Sequence, residues 1–219
     1  MLPLSRLIAV VWNHLIALSS HKNSNSYLIM TQRRGAFIVL EGIDRCGKTT
    51  QTALLHQRLT EYLASSSSST LVPSKASKSS SSDASPSPSI SPHPPPPLAL
   101  RFPDRTTAVG QLINQYLQST SDLDDHAIHL LFSANRWEVA DRMIDALLNQ
   151  GQSIVCDRYT YSGVAFSAAK VVRDGVTGDE TETPLLSLEW CQAPDKGLPA
   201  PDCVIFLDLP QEEAERRGG

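Results

Sequence analysis

Val39-Leu40-Glu41-Gly42-Ile43-Asp44-Arg45-Cys46-Gly47-Lys48-Thr49-Thr50 is the stretch on which the reading of this chain turns. Gly42 to Thr49 has the form G-x-x-x-x-G-K-T. The apolar run Ala36 to Leu40 leads into it, and a helix-compatible segment, Gln51 to Leu63, leaves it. A strand, a glycine loop and a helix in that order are what a phosphate-cradling loop requires. Glycines let the backbone curl so that successive N–H groups face phosphate oxygens, and the helix N-terminus adds partial positive charge there. The donor-nucleotide cradle is therefore expected at Gly42, Ile43, Asp44, Arg45, Cys46, Gly47, Lys48, Thr49 and Thr50. Lys48 is expected against the β- and γ-phosphates and Thr49 as a magnesium ligand.

Composition narrows the class. A chain of 219 residues can bury a real core and fits one α/β domain with tails. A net charge of −4 speaks against a nucleic-acid-binding surface, and no apolar run reaches membrane-spanning length. Cys46, Cys156, Cys191 and Cys203 lack metal-ligand spacing, so reduced thiols in an intracellular protein are expected.

Residues 1–30 hold no acidic residue, the first being Glu41. That character is compatible with an organellar transit peptide; the plainer reading is an upstream extension with Met30 as initiator. Residues 31–219 form the domain. The apolar run Ala36–Leu40 suits a parallel strand buried on both faces, and Leu55, Leu59, Tyr62 and Leu63 form a stripe on the helix after the loop. From 65 to 97 the composition turns to serine and proline, which reads as a disordered insertion. Leu98 to Phe102 is a short strand. Val109, Leu112, Ile113, Tyr116 and Leu117 give a helical stripe. Asp122, Asp124 and Asp125 mark the start of a long helix that ends near Asn149, where Gly151 stops it. Ser153 to Cys156 is a third strand, 171–186 a polar surface loop, and Cys203 to Asp208 a fourth strand before a helix from Gln211. Strands alternating with helices indicate a parallel, doubly wound α/β sheet with helices on both faces, whose ligands gather at the carboxyl ends of the strands.

Asp44-Arg45, Asp104-Arg105 and Asp157-Arg158 all fall at such ends. An arginine fork binds two phosphate oxygens at once. Arg45, Arg105 and Arg158 therefore suggest a second phosphorylated ligand beside the one in the loop; the plain alternative is Asp–Arg surface pairing. Asp157 is a candidate for the magnesium shell. Phe132 and Arg136, four residues apart, share a helix face. By spacing alone they read as core packing with a snorkelling arginine as readily as a base-binding pair.

The run Arg34 to Gln51 resembles the start of thymidylate kinases of the eukaryotic type. So do Arg101-Phe102-Pro103-Asp104-Arg105, His129 to Trp137, Asp157-Arg158-Tyr159 through Phe166, and Gly197 to Asp202. The resemblance implies a P-loop, nucleoside monophosphate kinase-like fold and ATP-to-dTMP phosphoryl transfer giving dTDP for dTTP biosynthesis. It makes Arg45, Lys48 and Asp157 the catalytic candidates, Thr49 and Asp157 the magnesium candidates, and Asp44 the partner of the sugar 3′-hydroxyl. Arg105 and Arg158 would clamp the dTMP phosphate, Phe132 would stack on thymine, Arg136 would bond its edge, and Phe166 would pack near the sugar. Phe102 and Gly163 complete the expected acceptor site. A homodimer in the cytoplasm or nucleus is implied, or in mitochondria if the extension targets it there. Neither nucleic acid nor membrane is an expected partner. The family pattern continues past Gly219, so the last strand, the lid and the C-terminal helices are expected to be missing from this chain. A non-catalytic nucleotide-binding fragment and a P-loop kinase for another small acceptor are the alternatives. A GTPase is disfavoured because no Asn-Lys-x-Asp segment is present.

Overall fold

The computed structural model describes residues 34–68, 95–120, 122–173 and 180–217. The N-terminal extension and the interior of the Ser/Pro-rich insertion lie outside the described residues. β1 (Phe37–Gly42) enters the glycine loop, and α1 (Lys48–Ser68) leaves it. β2 (Leu98–Arg101), α2 (Ala108–Leu117) and α3 (Asp125–Ile144) follow. A π-helical turn over Asp145–Asn149 extends α3. Then come β3 (Ile154–Asp157), α4 (Thr160–Ala168), β4 (Val171–Arg173), β5 (Glu180–Pro184), α5 (Leu188–Gln192), β6 (Cys203–Leu207) and α6 (Gln211–Arg216).

The main sheet is four-stranded, in the order β2-β3-β1-β6. Its pairings are all parallel, with Leu40 opposite Asp157 and Asp157 opposite Arg101. The C-terminal ends of the strands therefore open on one rim. Alternation along β1 feeds both faces of the sheet. Phe37 and Val39 join a core with Val139, Met143 and Tyr159, while Ile38 and Leu40 pack with Leu55 of α1 and Val155 of β3. Continuous apolarity in β1 thus does mean burial on both faces.

Caps set the helix starts. The Thr107 hydroxyl accepts from the Gly110 N–H at α2, and the Asp124 carboxylate accepts from the N–H groups of His126 and Ala127 at α3, as N-cap chemistry requires. Gly151, at φ 62°, closes the long helical run.

Several expectations give way. α1 runs through Ser65 to Ser68, so the helix intrudes on the serine tract. Tyr62 is exposed rather than part of the buried stripe. The far end of the insertion is anchored, because Gln152 Nε2 donates to the Pro96 carbonyl and His56 Nε2 bonds that of Pro97. On α2 the buried face carries Gly110 and Ile113, while Leu112 and Leu117 are exposed. The interval 171–186 contains an antiparallel pair, β4 with β5, rather than a plain loop. Along β6, Val204 and Phe206 are exposed while alternate residues are half-buried, because only one face packs on α1. No helix among the described residues is long and apolar enough to cross a membrane.

Candidate active site

The glycine loop curls at the end of β1. Gly47 takes φ 96°, a conformation that side-chain-bearing residues resist. The Lys48 ammonium folds back over the loop, donating to the Gly42 and Ile43 carbonyls at 2.9 and 2.5 Å. Thr49, in the first turn of α1, donates its hydroxyl to Asp157 Oδ2 at 2.6 Å. Asp157 is buried at the end of β3, and among the described residues its Oδ1 has no hydrogen-bond partner. An orphaned carboxylate oxygen in that position is costly unless something else satisfies it. One carboxylate and one threonine hydroxyl beside a phosphate loop is the donor set that suits magnesium, which draws its other ligands from phosphates and water. The residues therefore fit that ion.

Beside the loop, across the strand ends, lies a pocket of about 420 Å³. Asp44, Arg105, Arg158 and Phe166 line it, and so do Phe102, Phe132, Arg136 and Gly163. Every acceptor-side residue singled out from the sequence is thus brought to one cavity. Arg45 is exposed at φ 64° and is not among the lining residues.

The Asp–Arg neighbours in sequence do not pair with each other. Asp44 instead bridges to Arg158, Asp104 lies 3.7 Å from Arg142, and Asp157 lies 3.7 Å from Arg101. The Asp–Arg pairing that does occur thus joins residues of different motifs, as in Asp44 with Arg158. Arg158 sits at φ 67°, a strained conformation for a residue with a side chain. It is held from several sides: its N–H donates to the Leu40 carbonyl, Nη1 donates to Ser162 Oγ at 3.2 Å, and its guanidinium lies 5.7 Å over the Phe166 ring.

Three buried polar side chains that the sequence reading passed over pin these segments. Glu41, 4% exposed, accepts from the Tyr159 N–H at 2.8 Å and the Ser162 hydroxyl at 2.5 Å, which ties the start of α4 to β1. Asn135, fully buried, accepts from the Asp104 N–H at 2.8 Å and donates to the Asp104 carbonyl at 3.0 Å, fixing the turn that carries Arg105. Asp195 holds Arg136 in a bidentate pair. Arg136 therefore does not snorkel; its guanidinium is buried in the pocket wall. No spacing rule flags such residues; only Glu41, closing the apolar run Ala36–Leu40, stood out in the sequence, whereas Asn135 and Asp195 lie among other polar residues. Arg101 also lines the pocket and was not singled out. Two buried groups have shifted titration. Burial pushes the His129 imidazole below its ordinary value near 6.5. Burial likewise raises the Cys156 thiol well above the usual range, with Asp157 adding to it.

A parallel sheet with a glycine phosphate loop on its central strand and an arginine-lined pocket at the adjoining strand ends defines the P-loop fold of the nucleoside monophosphate kinases. A family model described as thymidylate kinase matches residues 96–219, more than half the chain. The thymidylate kinase of Dictyostelium discoideum is 42% identical over 186 residues, 85% of this chain and 64% of that protein. Those of Danio rerio and Homo sapiens are 43% and 41% identical, each over 86% of this chain and 68% of their own length. The solved thymidylate kinase from Candida albicans superposes with a TM-score of 0.62 at 38% identity, covering 85% of this chain and 68% of that one. This chain belongs to the thymidylate kinase family. It spans 64% of the length of the Dictyostelium relative.

Proposed function

We propose that this chain transfers the γ-phosphoryl group of ATP to the phosphate of dTMP, giving dTDP. The observation that carries the reading is the convergence of Asp44, Arg105, Phe132, Arg136, Arg158 and Phe166 on one pocket beside the phosphate loop. The loop amides and Lys48 hold the donor phosphates. Thr49 and Asp157 would hold magnesium, which would supply neutralisation of the charge on the donor phosphates. Arg105 and Arg158 clamp the acceptor phosphate, each offering a planar fork. Asp44 leaves Arg158 for the sugar 3′-hydroxyl once phosphate takes that fork. Phe132 stacks on the base, Arg136 donates to its edge, and Phe166 packs against the sugar. Arg45, exposed on the loop, is free to swing onto the transferring group. No covalent intermediate is needed, since such transfers rest on alignment and charge stabilisation.

We also propose that two copies associate through α3, where Leu130, Trp137 and Ile144 recur at heptad spacing on one exposed stripe. Cytoplasmic residence accords with the free cysteines. The decisive experiment is ATP-to-dTMP phosphoryl transfer by the purified chain, with Lys48→Ala as control. Control-sensitive turnover supports the reading. Absence of turnover alongside tight dTMP binding would leave an acceptor-binding protein instead.

A further inference from the structure

The pocket wall contains a buried ion pair between Arg136 and Asp195, and the mechanism above gives a task to the arginine but none to the carboxylate. The Arg136 and Asp195 side chains are 2% and 6% exposed. A pair so thoroughly desolvated adds little net stability compared with apolar residues of the same size. What it does supply is orientation. Asp195 Oδ1 accepts from Arg136 Nε at 3.0 Å and from Nη2 at 2.9 Å, and Oδ2 accepts from Nη2 at 2.7 Å. The Ser133 hydroxyl, one turn back on α3, donates to the same Oδ1 at 2.7 Å. Asp195 ends the 3-10 turn Ala193–Asp195. Trp137 Nε1 ties that turn to α3 by donating to the Pro194 carbonyl at 2.8 Å. The carboxylate is thus fixed on a rigid support before it engages the guanidinium.

These contacts consume the Nε and Nη2 edge. Nη1 is what remains; Gly163 of α4 lies over the guanidinium, where an added Cβ would come 3.0 Å from Nη1 and 3.1 Å from Nη2, so the arginine is also confined from that side. Two further arginines of the pocket, Arg158 and Arg101, are held differently. Arg158 meets a largely exposed Asp44 through one nitrogen, and Arg101 lies 3.7 Å from Asp157. Arg136 alone among them has its charge matched by both oxygens of one buried carboxylate. It is thereby kept from serving as another phosphate clamp and is turned into a neutral, fixed N–H donor.

We propose that Asp195, seconded by Ser133, is the positioning residue that sets base selectivity. By engaging Nε and Nη2, it leaves Nη1 as the donor for the base edge, so the site demands a carbonyl oxygen there. A guanidinium has no acceptor, so an amino group at the same place meets a donor with a donor. Thymine and uracil carry the oxygen there; cytosine carries the amino group. The inference rests on the dTMP reading and deepens it. A guanidinium released from Asp195 could rotate, hydrate or recruit an anion, and the discrimination would fall.

The test reads binding rather than turnover: dissociation constants of dTMP, dUMP and dCMP by calorimetry for wild type, Asp195→Asn and Ser133→Ala. Wild type is expected to favour dTMP and dUMP over dCMP. In Asp195→Asn that preference should shrink by about tenfold, the worth of one good hydrogen bond, through weaker dTMP binding. Ser133→Ala should shift it the same way by about threefold. A purely structural Asp195 would weaken all the nucleotides by one common factor, and that result overturns the proposal. If Asp195→Asn does not fold, Ser133→Ala decides, and an unchanged preference in that folded variant is equally fatal. Wild type that binds no nucleoside monophosphate would instead refute the functional reading beneath it.

Discussion

Residues 42–49 build the donor end of the cleft from one continuous loop, whereas the acceptor pocket takes its walls from five separate stretches of chain between Asp44 and Lys170. In the loop the active elements are backbone groups and a lysine that reaches carbonyls five and six residues away. In the pocket each arginine depends on a distant partner. Glu41 secures the segment of Arg158 from 118 residues away, Asn135 secures the turn of Arg105, and Asp195 secures Arg136 from 59 residues away. Lys48, although buried, bonds only groups of its own loop, so its loss is expected to stay local. Loss of a pocket pin is not local, because the pins are buried polar groups whose removal leaves a distant partner unsatisfied.

The largest separation of the two regions is expected from Lys48→Ala. Phosphoryl transfer should fall by about two to three orders of magnitude, the range seen when one positioned donor is removed from a reaction centre. Affinity for dTMP and the melting temperature should stay near wild type. Loss of dTMP binding in that variant would show that the two ends are not independent.

Asn135→Ala should do the reverse and strike both fold and ligand. Removing a fully buried amide that bonds both polar groups of the Asp104 backbone should cost about 1–3 kcal/mol in denaturant unfolding. It should also weaken dTMP through the displaced Arg105. Unchanged stability would mean that the turn holds itself.

The smallest effect is a pH dependence seated on the pocket side. Fully buried His129 bonds the Ser167 hydroxyl through Nδ1 at 2.7 Å and the Cys191 carbonyl through Nε2 at 2.9 Å. Burial holds its titration below 6.5, and nearby Arg136 works in the same direction. The unfolded chain then binds a proton that the folded one refuses. Stability is thus present in full above pH 6.5 and declines as pH falls from there toward the lower folded value. Urea midpoints measured from pH 7.5 to 5 should show that decline for wild type and a reduced slope for His129→Gln. The loop's own geometry should not respond over that interval.

The same contrast governs what could be read in advance. The order of elements, the parallel sheet and the loop were legible because they follow from local periodicity and glycine placement. Arg105 and Arg158 could be placed at the shared rim from their strand-end positions, but Phe132 and Arg136 joined the site only through resemblance to a family, since spacing could not separate a base-binding pair from core packing. The misread faces have one cause. Leu112 and Leu117 share an amphipathic stripe with Ile113, yet a helix lays down only one line of contact. Which apolar residues occupy it depends on how α2 docks on α3. The pairing of β4 with β5 was missed because residues 180–184, Glu-Thr-Glu-Thr-Pro, have no apolar alternation to announce a strand.

By itself, then, the sequence determined that the chain forms a P-loop α/β domain, where its donor loop lies, and which arginines stand at strand ends. Those properties depend on neighbours within a few residues, and short-range sterics and hydrogen bonding suffice to define them. The tertiary structure alone decided which carboxylate faces which arginine. Asp195 takes Arg136 because a buried charge must find a partner in space, and exposed Asp44 takes Arg158 rather than Arg45; in both, the nearest partner is set by packing, not by position along the chain.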